Sequence, residues 1–233
     1  MKKHGKKYIA ASKLIDPEKA YTVQEAADLL KKASYTKFDS TIEVHMRMGI
    51  DPKQADQLVR GVVSLPNGTG KTVRIAVFAD GEGATLAQEA GADVVGADDL
   101  IKRVNEGFTD FDVAVAVPQI MAKLSRLGKV LGPRGLMPSP KAGTIVPPQD
   151  LPRLIRELRG GRVEFKVDKT ANIHVGVGKV SFNEKQMHEN LTALFDAIAK
   201  ARPAAVKGQY VRSISIAPTM GPGIKLDVNE AIK

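Results

Sequence analysis

The pattern of hydrophobic and polar residues differs between the outer parts of the chain and the middle. Residues 41–48, TIEVHMRM, place an apolar side chain at every second position, and the same period recurs in residues 163–168, 172–178 and 210–217. Such alternation is typical of strands that bury one face and expose the other. The pattern predicts four strands of a half-buried sheet, one before the middle segment and three after it.

Three further segments of the outer chain have helical signals. In residues 22–33, Thr22 and Glu25 have the spacing of a capping box ahead of apolar residues at helical intervals. Residues 183–201 show the same helical periodicity. Residues 51–61, DPKQADQLVRG, offer a helix beginning at Asp51-Pro52 and ending at Gly61.

The middle of the chain alternates apolar strands with helices. Residues 73–79, VRIAVFA, form a continuous apolar run, which is typical of a strand in a parallel sheet covered on both faces. The rest of the pattern predicts a helix at 85–90, a strand at 92–96, a helix at 98–107, a strand at 111–117 and a helix at 148–159. Alternating strands and helices indicate an α/β unit.

Two changes of style, at Pro66-Asn67-Gly68 and at Gly160-Gly161, divide the chain into two domains. We predict a discontinuous domain I, residues 1–67 and 160–233, with an α+β split β-α-β (ferredoxin-like) sheet and helices on one face. Residues 68–159 are predicted to form an inserted domain II, a Rossmann-like three-layer α/β unit. The lysine-rich opening, MKKHGKK, is predicted to be a mobile arm.

The open face of the domain I sheet follows from the alternation. It is predicted to be polar, mixed in charge and without Phe, Tyr or Trp, and to carry Glu43, His45, Arg47, Glu164, Lys166, Asp168, His174, Ser213 and Ser215. Sheets that read single-stranded RNA stack bases on aromatic side chains. The pattern therefore favours recognition of a folded RNA through its shape, its 2′-hydroxyl groups and its phosphates.

Charge and composition limit the possible partners. The formal net charge is +9, which favours a polyanion. No apolar run approaches the roughly 20 residues that span a bilayer, and the N-terminus lacks the apolar core of a secretory signal. The absence of cysteine excludes disulfides and thiolate chemistry, and it is consistent with a reducing cytoplasm.

Residues 123–144, KLSRLGKVLGPRGLMPSPKAGT, form a basic segment that is rich in glycine and proline. They contain Lys123, Arg126, Lys129, Arg134 and Lys141 and no acidic residue. The charge predicts that the segment is not core, and its glycines and prolines predict that it is not one helix. It is either a phosphate-seeking surface, since glycine permits close approach and Lys/Arg supply charge, or a solvated loop.

Two glycine-rich sequences superficially suggest nucleotide binding. Gly68-Thr69-Gly70-Lys71-Thr72 resembles the end of a P-loop, but Leu65 occupies the position of the first glycine and a strand follows instead of a helix. Gly81-Glu82-Gly83 suggests a dinucleotide turn, but Leu86 replaces the third glycine and Glu82 would repel a pyrophosphate. The sequence therefore predicts no nucleotide cofactor.

The four histidines have no metal-ligand spacing. His45 and His174, on one sheet face, are the only candidates for a metal site assembled in three dimensions, and the sequence favours ordinary surface polar residues over such a site. Nothing resembles a Ser-His-Asp arrangement. We predict no metal and no catalytic residue.

Three motifs resemble the bacterial ribosomal protein L-one family, whose members form the mobile stalk of the large ribosomal subunit. They are LGKVLGPRGLMPSPKAGT at 127–144, FKVDKTANIHVGVGK at 165–179 and APTMGPG at 217–223. The resemblance extends over essentially the whole chain. It implies a non-enzymatic, two-domain protein that binds folded large-subunit ribosomal RNA, assists release of deacylated tRNA from the exit site and represses its own operon through a mimic site in the mRNA.

The resemblance also implies which residues contact RNA. Carried over one by one, they fall at three places: Lys37, Phe38, Ser40, Thr41 and Glu43; Asp168, Lys169, Thr170 and His174; and Ser213, Ser215, Thr219, Met220 and Gly221. The basic residues of 123–141 belong to domain II and are expected to touch tRNA or more distant RNA. The free protein is expected to be a cytoplasmic monomer that joins the ribosome.

Two rival hypotheses stay open at this point. An enzyme acting on a nucleotide through domain II predicts saturable ATP or NAD binding, against which Leu65 and Leu86 weigh. A general RNA chaperone predicts similar affinity for unrelated RNAs. Without the family resemblance, the turns at 168–170 and 219–221 are equally well explained as ordinary surface turns.

Overall fold

The structure is a computed structural model and describes residues 4–232. The chain divides into two compact units: unit 1 comprises the chain up to Gly70 and from Gly161 onwards, and unit 2 comprises Lys71–Gly160. Residues 1–3 of the predicted arm lie outside the described residues. Lys6–Ser12 form a helix, α1, that buries Ala11, so this part of the lysine-rich opening has regular structure.

The helices and strands follow the chain in a simple order. Unit 1 begins with α1 and continues with α2 (Val23–Ala33), β1 (Thr41–Met48) and β2 (Arg60–Ser64). Unit 2 contains β3 (Ile75–Phe78), α3 (Gly81–Glu89), β4 (Val94–Gly96), α4 (Asp98–Asn105), β5 (Val113–Ala116), α5 (Met121–Leu124), α6 (Gly128–Leu131) and α7 (Leu151–Arg159). The chain returns to unit 1 with β6 (Arg162–Lys166), β7 (Asn172–Lys179), α8 (Glu184–Lys200), β8 (Val211–Pro218), β9 (Ile224–Leu226) and α9 (Val228–Ala231).

The main sheet of unit 1 has the strand order β7-β1-β8-β9, with all neighbours antiparallel. The side chains of its apolar face pack with those of α2 and α8 in one core cluster. Both helices begin with the capping box that satisfies their first backbone N–H groups, formed by Thr22 with Glu25 and by Asn183 with Gln186. The mixed fold class predicted from the pattern is confirmed, and one face of this sheet is left uncovered by these helices.

The membership of that sheet differs from the prediction. Residues 163–168 were expected to supply its fourth strand, but β6 pairs with β2 in a separate two-stranded sheet, and the short strand β9 takes the predicted place. Glu164 and Lys166 therefore lie beside the main sheet and not on it. Alternation shows that a segment is a half-buried strand, but it does not identify the partner strand.

The prediction of a helix at residues 51–61 is also wrong. Only Ala55–Gln57 form a single 3-10 turn, and β2 begins at Arg60. Gly61 lies opposite Phe165 in the ladder, and a Cβ atom there would be 2.6 Å from Cζ of that ring. The glycine therefore makes room for an aromatic side chain that crosses it, and it does not end a helix.

Unit 2 is built around a parallel sheet with the order β4-β3-β5. All four residues of β3 are buried. Ile75 and Val77 belong to a cluster with α7, whereas Ala76 and Phe78 belong to a second cluster with α4. Core clusters on both faces of the sheet confirm the predicted three-layer α/β style.

The basic segment at 123–144 contributes to the core of unit 2, contrary to the prediction. Short helical turns succeed one another from Pro118 to Leu131. Leu124, Leu127 and Leu131 are buried in the cluster that contains Phe78, while Lys123, Arg126 and Lys129 of the same turns are exposed. A helical period places the basic and apolar residues on different sides, so strong charge does not exclude burial of the leucines between them.

The glycine-rich sequence at 68–72 is not a P-loop in the structure. Gly68 and Gly70 have left-handed φ angles of +66° and +70°. The next regular element is β3, which begins at Ile75. Because no helix follows, there is no N-terminal dipole to receive a phosphate, as the sequence predicts.

Candidate nucleic-acid interface

The exposed face of the main sheet is centred on β1. Glu43, His45 and Arg47 alternate with buried apolar residues along this strand. In the ladders, His45 lies directly opposite His174 on one side and Ser215 on the other, and Arg47 lies opposite Ser213. Directly opposed residues of an antiparallel pair share a face, so these side chains form one polar surface.

His45 and His174 meet at the middle of this surface. Their Nδ1 atoms are 2.8 Å apart, a distance at which one nitrogen donates and the other accepts. Nε2 of His45 is 3.9 Å from the Glu43 carboxylate, and Nε2 of His174 is 3.6 Å from that of Asp168. Partial burial lowers the pKa of His45, and the neighbouring charge of His174 lowers it further, while Glu43 opposes both.

The turn from Asp168 to Asn172 closes one end of the surface. The Asp168 carboxylate accepts the backbone N–H groups of Asn172 at 2.7 Å and of Thr170 at 2.8 Å, and the Thr170 hydroxyl at 2.7 Å. These hydrogen bonds, led by that from Asn172, lower the pKa of Asp168 to about 2. Asp168 therefore holds the turn in shape, which leaves Lys169 and Thr170 exposed.

Arg47 connects β1 to this turn. Its guanidinium donates to the carbonyl of Thr170, across the register position that pairs Arg47 with Asn172. Ala171 adopts a left-handed φ of +61° within the turn. The arginine thus carries a positive charge to the edge of the surface and ties the turn to the central strand.

The other end of the surface is a β-turn at Pro218–Gly221. Gly221 N–H donates to the Pro218 carbonyl at 2.8 Å, and Met220 has a left-handed φ of +64°. The Met220 side chain is 68% exposed, and its carbonyl accepts the Tyr35 hydroxyl at 2.6 Å. The turn therefore presents a thioether to solvent on a fixed backbone.

The N-terminal end of β1 lies beside this turn. Thr219 donates from both its backbone N–H and its hydroxyl to the Thr41 carbonyl, at 2.9 and 3.0 Å. Lys37 and Phe38 are exposed just before the strand, with Phe38 at 54%. The sequence-predicted groups at 37–43 and 219–221 are therefore neighbours in the fold.

Ser40 differs from the other residues carried over from the family. Its side chain is completely buried, with Oγ 3.1 Å from Oγ of Ser34, and its carbonyl accepts the Val180 N–H. Burial removes the hydroxyl from the exposed surface, so we assign Ser40 to holding the start of β1.

Apart from Ser40, the predicted positions in unit 1 thus form, with His45 and Arg47, one stripe along the sheet, which comprises Lys37, Phe38, Thr41, Glu43, His45, Arg47, Asp168, Lys169, Thr170, His174, Ser213, Ser215, Thr219, Met220 and Gly221. Thr41 and Arg47 are six residues apart on an extended strand, which corresponds to about 20 Å, and one predicted turn is joined to each end. His174, Ser213 and Ser215 line the length between them, the two serines half-buried. Glu164 and Lys166 lie outside the stripe, on the two-stranded sheet.

Sequence reasoning missed two residues that support the stripe. Tyr35 reaches Met220 across a separation of 185 residues, and no local pattern could have indicated this contact. Asp39 accepts the N–H and hydroxyl of Ser181 at 3.0 and 2.8 Å. An aspartate just before a strand is a frequent turn former, so this second residue did have a weak local signal.

The basic residues of unit 2 have different surroundings. Lys123 forms an ion pair with Asp98 at 2.8 Å, and Arg134 donates to the Thr109 hydroxyl. Arg126, Lys129 and Lys141 are exposed. Their charge can meet a phosphate, but the geometry provides no aligned set of polar side chains like that on the main sheet of unit 1.

Metal sites and membrane spans are two further kinds of feature that bear on function. Among residues 4–232, no group of three or more His, Asp or Glu side chains is placed to hold a metal ion. In the same range, no helix is both long and apolar enough to cross a membrane.

Comparison with known proteins identifies the family. The family model described as "Ribosomal protein L1p/L10e family" matches residues 30–222. A protein of Chloroflexus aggregans named "Large ribosomal subunit protein uL1" is 56% identical over 229 residues, covering 98% of this chain and 97% of its own. Proteins of the same name are 54% identical in Thermomicrobium roseum, over 100% of this chain and 97% of their own, and 53% in Lactobacillus delbrueckii subsp. bulgaricus, over 97% of each.

The family resemblance seen in the three sequence motifs is thereby confirmed, and these relatives are named as ribosomal proteins and not as enzymes. The match covers both units and all three groups of predicted contact residues. The chain belongs to the ribosomal protein L1p/L10e family.

Proposed function

We propose that the protein is a structural constituent of the large ribosomal subunit, and that the stripe on the main sheet of unit 1 binds folded ribosomal RNA at the mobile stalk. The observation that carries this proposal is the continuous row of polar side chains along β1, closed at each end by a hydrogen-bonded turn. Family membership and the net charge of +9 support it.

The chemistry of the stripe suits structured RNA. Within the stripe the one aromatic ring besides the histidines is Phe38, at its end, so bases have little on which to stack. Hydroxyl, imidazole and carboxylate groups along the centre can exchange hydrogen bonds with 2′-hydroxyl groups and base edges in a wide, shallow minor groove. Lys37, Arg47 and Lys169 can meet phosphates at the two ends.

We include three finer roles in the proposal, each motivated by the family. The protein assists release of deacylated tRNA from the exit site, and it represses its own operon when the stripe binds an mRNA site that mimics the ribosomal one. The exposed basic residues of unit 2, among them Arg126, Lys129 and Lys141, contact tRNA or RNA distant from the stripe.

The protein acts in the cytoplasm and is a monomer when free.

The test is binding of the purified protein to a stalk rRNA fragment and to a scrambled hairpin at several salt concentrations. Site-specific recognition predicts a preference of about a thousandfold or more for the stalk fragment. Equal affinities with a steep salt dependence would mean that only net charge acts, as for a general RNA chaperone.

Thr219→Ala tests the stripe itself. The substitution removes the hydroxyl, and with it one of the two hydrogen bonds that Thr219 donates to the Thr41 carbonyl, while the bond from the backbone N–H remains. We expect affinity for the stalk fragment to fall by about 1–3 kcal/mol without loss of the fold. An unchanged titration would remove the turn from the site.

A further inference from the structure

The two-stranded sheet of β2 and β6 carries a second exposed surface in unit 1. The pairs Arg60–Lys166, Val62–Glu164 and Ser64–Arg162 are directly opposed, so their six side chains share one face. Val63 and Phe165 are buried on the other face in the core cluster of the unit. We call the six-residue exposed face the ribbon face.

The ribbon face is more cationic than the stripe. It carries three basic residues, Arg60, Arg162 and Lys166, and one acidic residue, Glu164. Arg60 Nε donates to the Glu164 carboxylate at 2.5 Å, which orients that guanidinium along the surface. On β1, by contrast, the single arginine of the stripe is matched by Glu43. The centre of the stripe is thus suited to hydrogen bonding, whereas the ribbon face, like the ends of the stripe, is suited to phosphate attraction.

The ribbon face also continues the stripe. An isolated bridge joins Val167 to Ile173, and the Val167 N–H donates to the Val59 carbonyl at 3.0 Å. The ribbon therefore leads directly into the Asp168–Asn172 turn that closes the stripe. Phe165 and Ile173 bury their side chains in the same cluster, so both surfaces face away from one core.

We propose that the ribbon face binds the sugar–phosphate backbone of the same RNA, beyond the part that the stripe recognises. Arg162 and Lys166 are four residues apart on one strand, or about 13 Å, so their side chains can reach different phosphates. The interaction adds affinity and positions the duplex without reading its sequence. This inference rests on the proposed function, because it takes the RNA on the stripe as the ligand.

The experiment removes two positive charges from the ribbon face and compares the result with removal of two elsewhere. The ribbon variant is Arg162→Gln with Lys166→Gln. The control is Lys31→Gln with Lys32→Gln, in the last turn of α2, which covers the opposite side of the main sheet. Both variants carry the same net charge, so a difference between them reports the location of the charges.

The readout is the dependence of the binding constant on salt for the stalk fragment and the scrambled hairpin. Log K falls as log salt rises, and removing one phosphate-binding cation makes this negative slope shallower by about 1. We therefore expect the magnitude of the slope to decrease by about 2 in the ribbon variant and to stay unchanged in the control. The preference of the ribbon variant for the stalk fragment should persist because the stripe is intact. Thermal unfolding shows whether both variants fold. If the double variant does not fold, Lys166→Gln alone replaces it, with an expected decrease of about 1 in the magnitude of the slope.

Equal slopes in the ribbon variant and the control would overturn the inference. A wild-type protein without preference for the stalk fragment would instead overturn the proposed function, so the two failures are distinguishable. If the ribbon variant keeps its slope and the wild type keeps its preference, the RNA is bound without the ribbon face, and the inference fails while the proposed function stands.

Discussion

The main sheet of unit 1 and the sheet of unit 2 bury their side chains in opposite ways. Along β1, every second residue is buried and the residues between face outward. Along β3, all four residues are buried, and they alternate between two separate core clusters. The first arrangement is that of an antiparallel sheet covered on one side, and the second that of a parallel sheet between helices.

The difference decides where each unit can carry a function. A sheet covered on one side places side chains at fixed spacings on an open surface, held by the ladder beneath them. A sheet covered on both sides has no such surface, so the basic residues of unit 2 lie on the turns and short helices around it. Precise hydrogen bonding is therefore expected from unit 1, and diffuse charge from unit 2.

The strongest way to break this comparison is to place a carboxylate on each sheet. Val77 is fully buried in unit 2, and an aspartate there would lose its hydration without a partner. We expect Val77→Asp to cost several kcal/mol of unfolding free energy. Urea denaturation followed by circular dichroism measures the loss.

Ser215→Asp is the matched control on the open face, where the new carboxylate would stand opposite His45. We expect the unfolding free energy to change by about 0.5 kcal/mol or less. Comparable losses in the two variants would show that the open face is packed as tightly as a core and would contradict the contrast between the sheets.

The hydrophobic pattern predicted the kind of each strand better than its partners. The buried run at 73–79 and the alternation at 41–48 both indicated the correct type of sheet, because side-chain period reflects burial directly. Pairing depends on which segments meet in three dimensions. The exchange of β6 for β9 in the main sheet therefore left no trace in the local sequence.

Glycine signals were ambiguous for the same reason. Gly61 was interpreted as a helix stop, whereas its role is to admit the ring of Phe165, 104 positions later in the sequence. The candidate-site residues came from the family resemblance, while the alternation of the strands indicated only that Glu43, His45 and Arg47 would share an exposed face. Neither source indicated the roles of Tyr35 and buried Ser40, because these depend on contacts between distant segments.

A second variant pair sharpens the comparison at the end of the open face. A Cβ atom at Gly221 would lie 2.5 Å from Cγ of Pro218, whereas one at Gly223 would meet no atom within 4 Å. We expect Gly221→Val to displace the turn and weaken binding of the stalk fragment by about 1–3 kcal/mol. Filter binding measures the change.

Gly223→Val supplies the control for added bulk near the same turn. Its affinity should stay close to that of the wild type, and circular dichroism should show both variants folded. If the two substitutions weaken binding equally, the shape of the 218–221 turn is not what the RNA recognises.

The smallest expected effect concerns the protonation of the open face. Burial and the charge of His174 lower the pKa of His45 below its ordinary value of 6.5. The unfolded chain therefore takes up a proton at this residue more readily than the folded chain. Stability contributed by neutral His45 is present above pH 6.5 and is lost as the pH falls through the lower folded pKa.

Denaturation midpoints at pH 7.5 and at mildly acidic pH measure this loss. Because the imidazole is partly solvated and Glu43 opposes the shift, we expect it to be less than about 1 kcal/mol. His45→Gln should reduce the pH dependence, since glutamine does not titrate. A pH dependence as large in His45→Gln as in the wild type would assign it to other groups, whereas a much larger one in the wild type would mean that this face excludes water nearly as well as the sheet of unit 2.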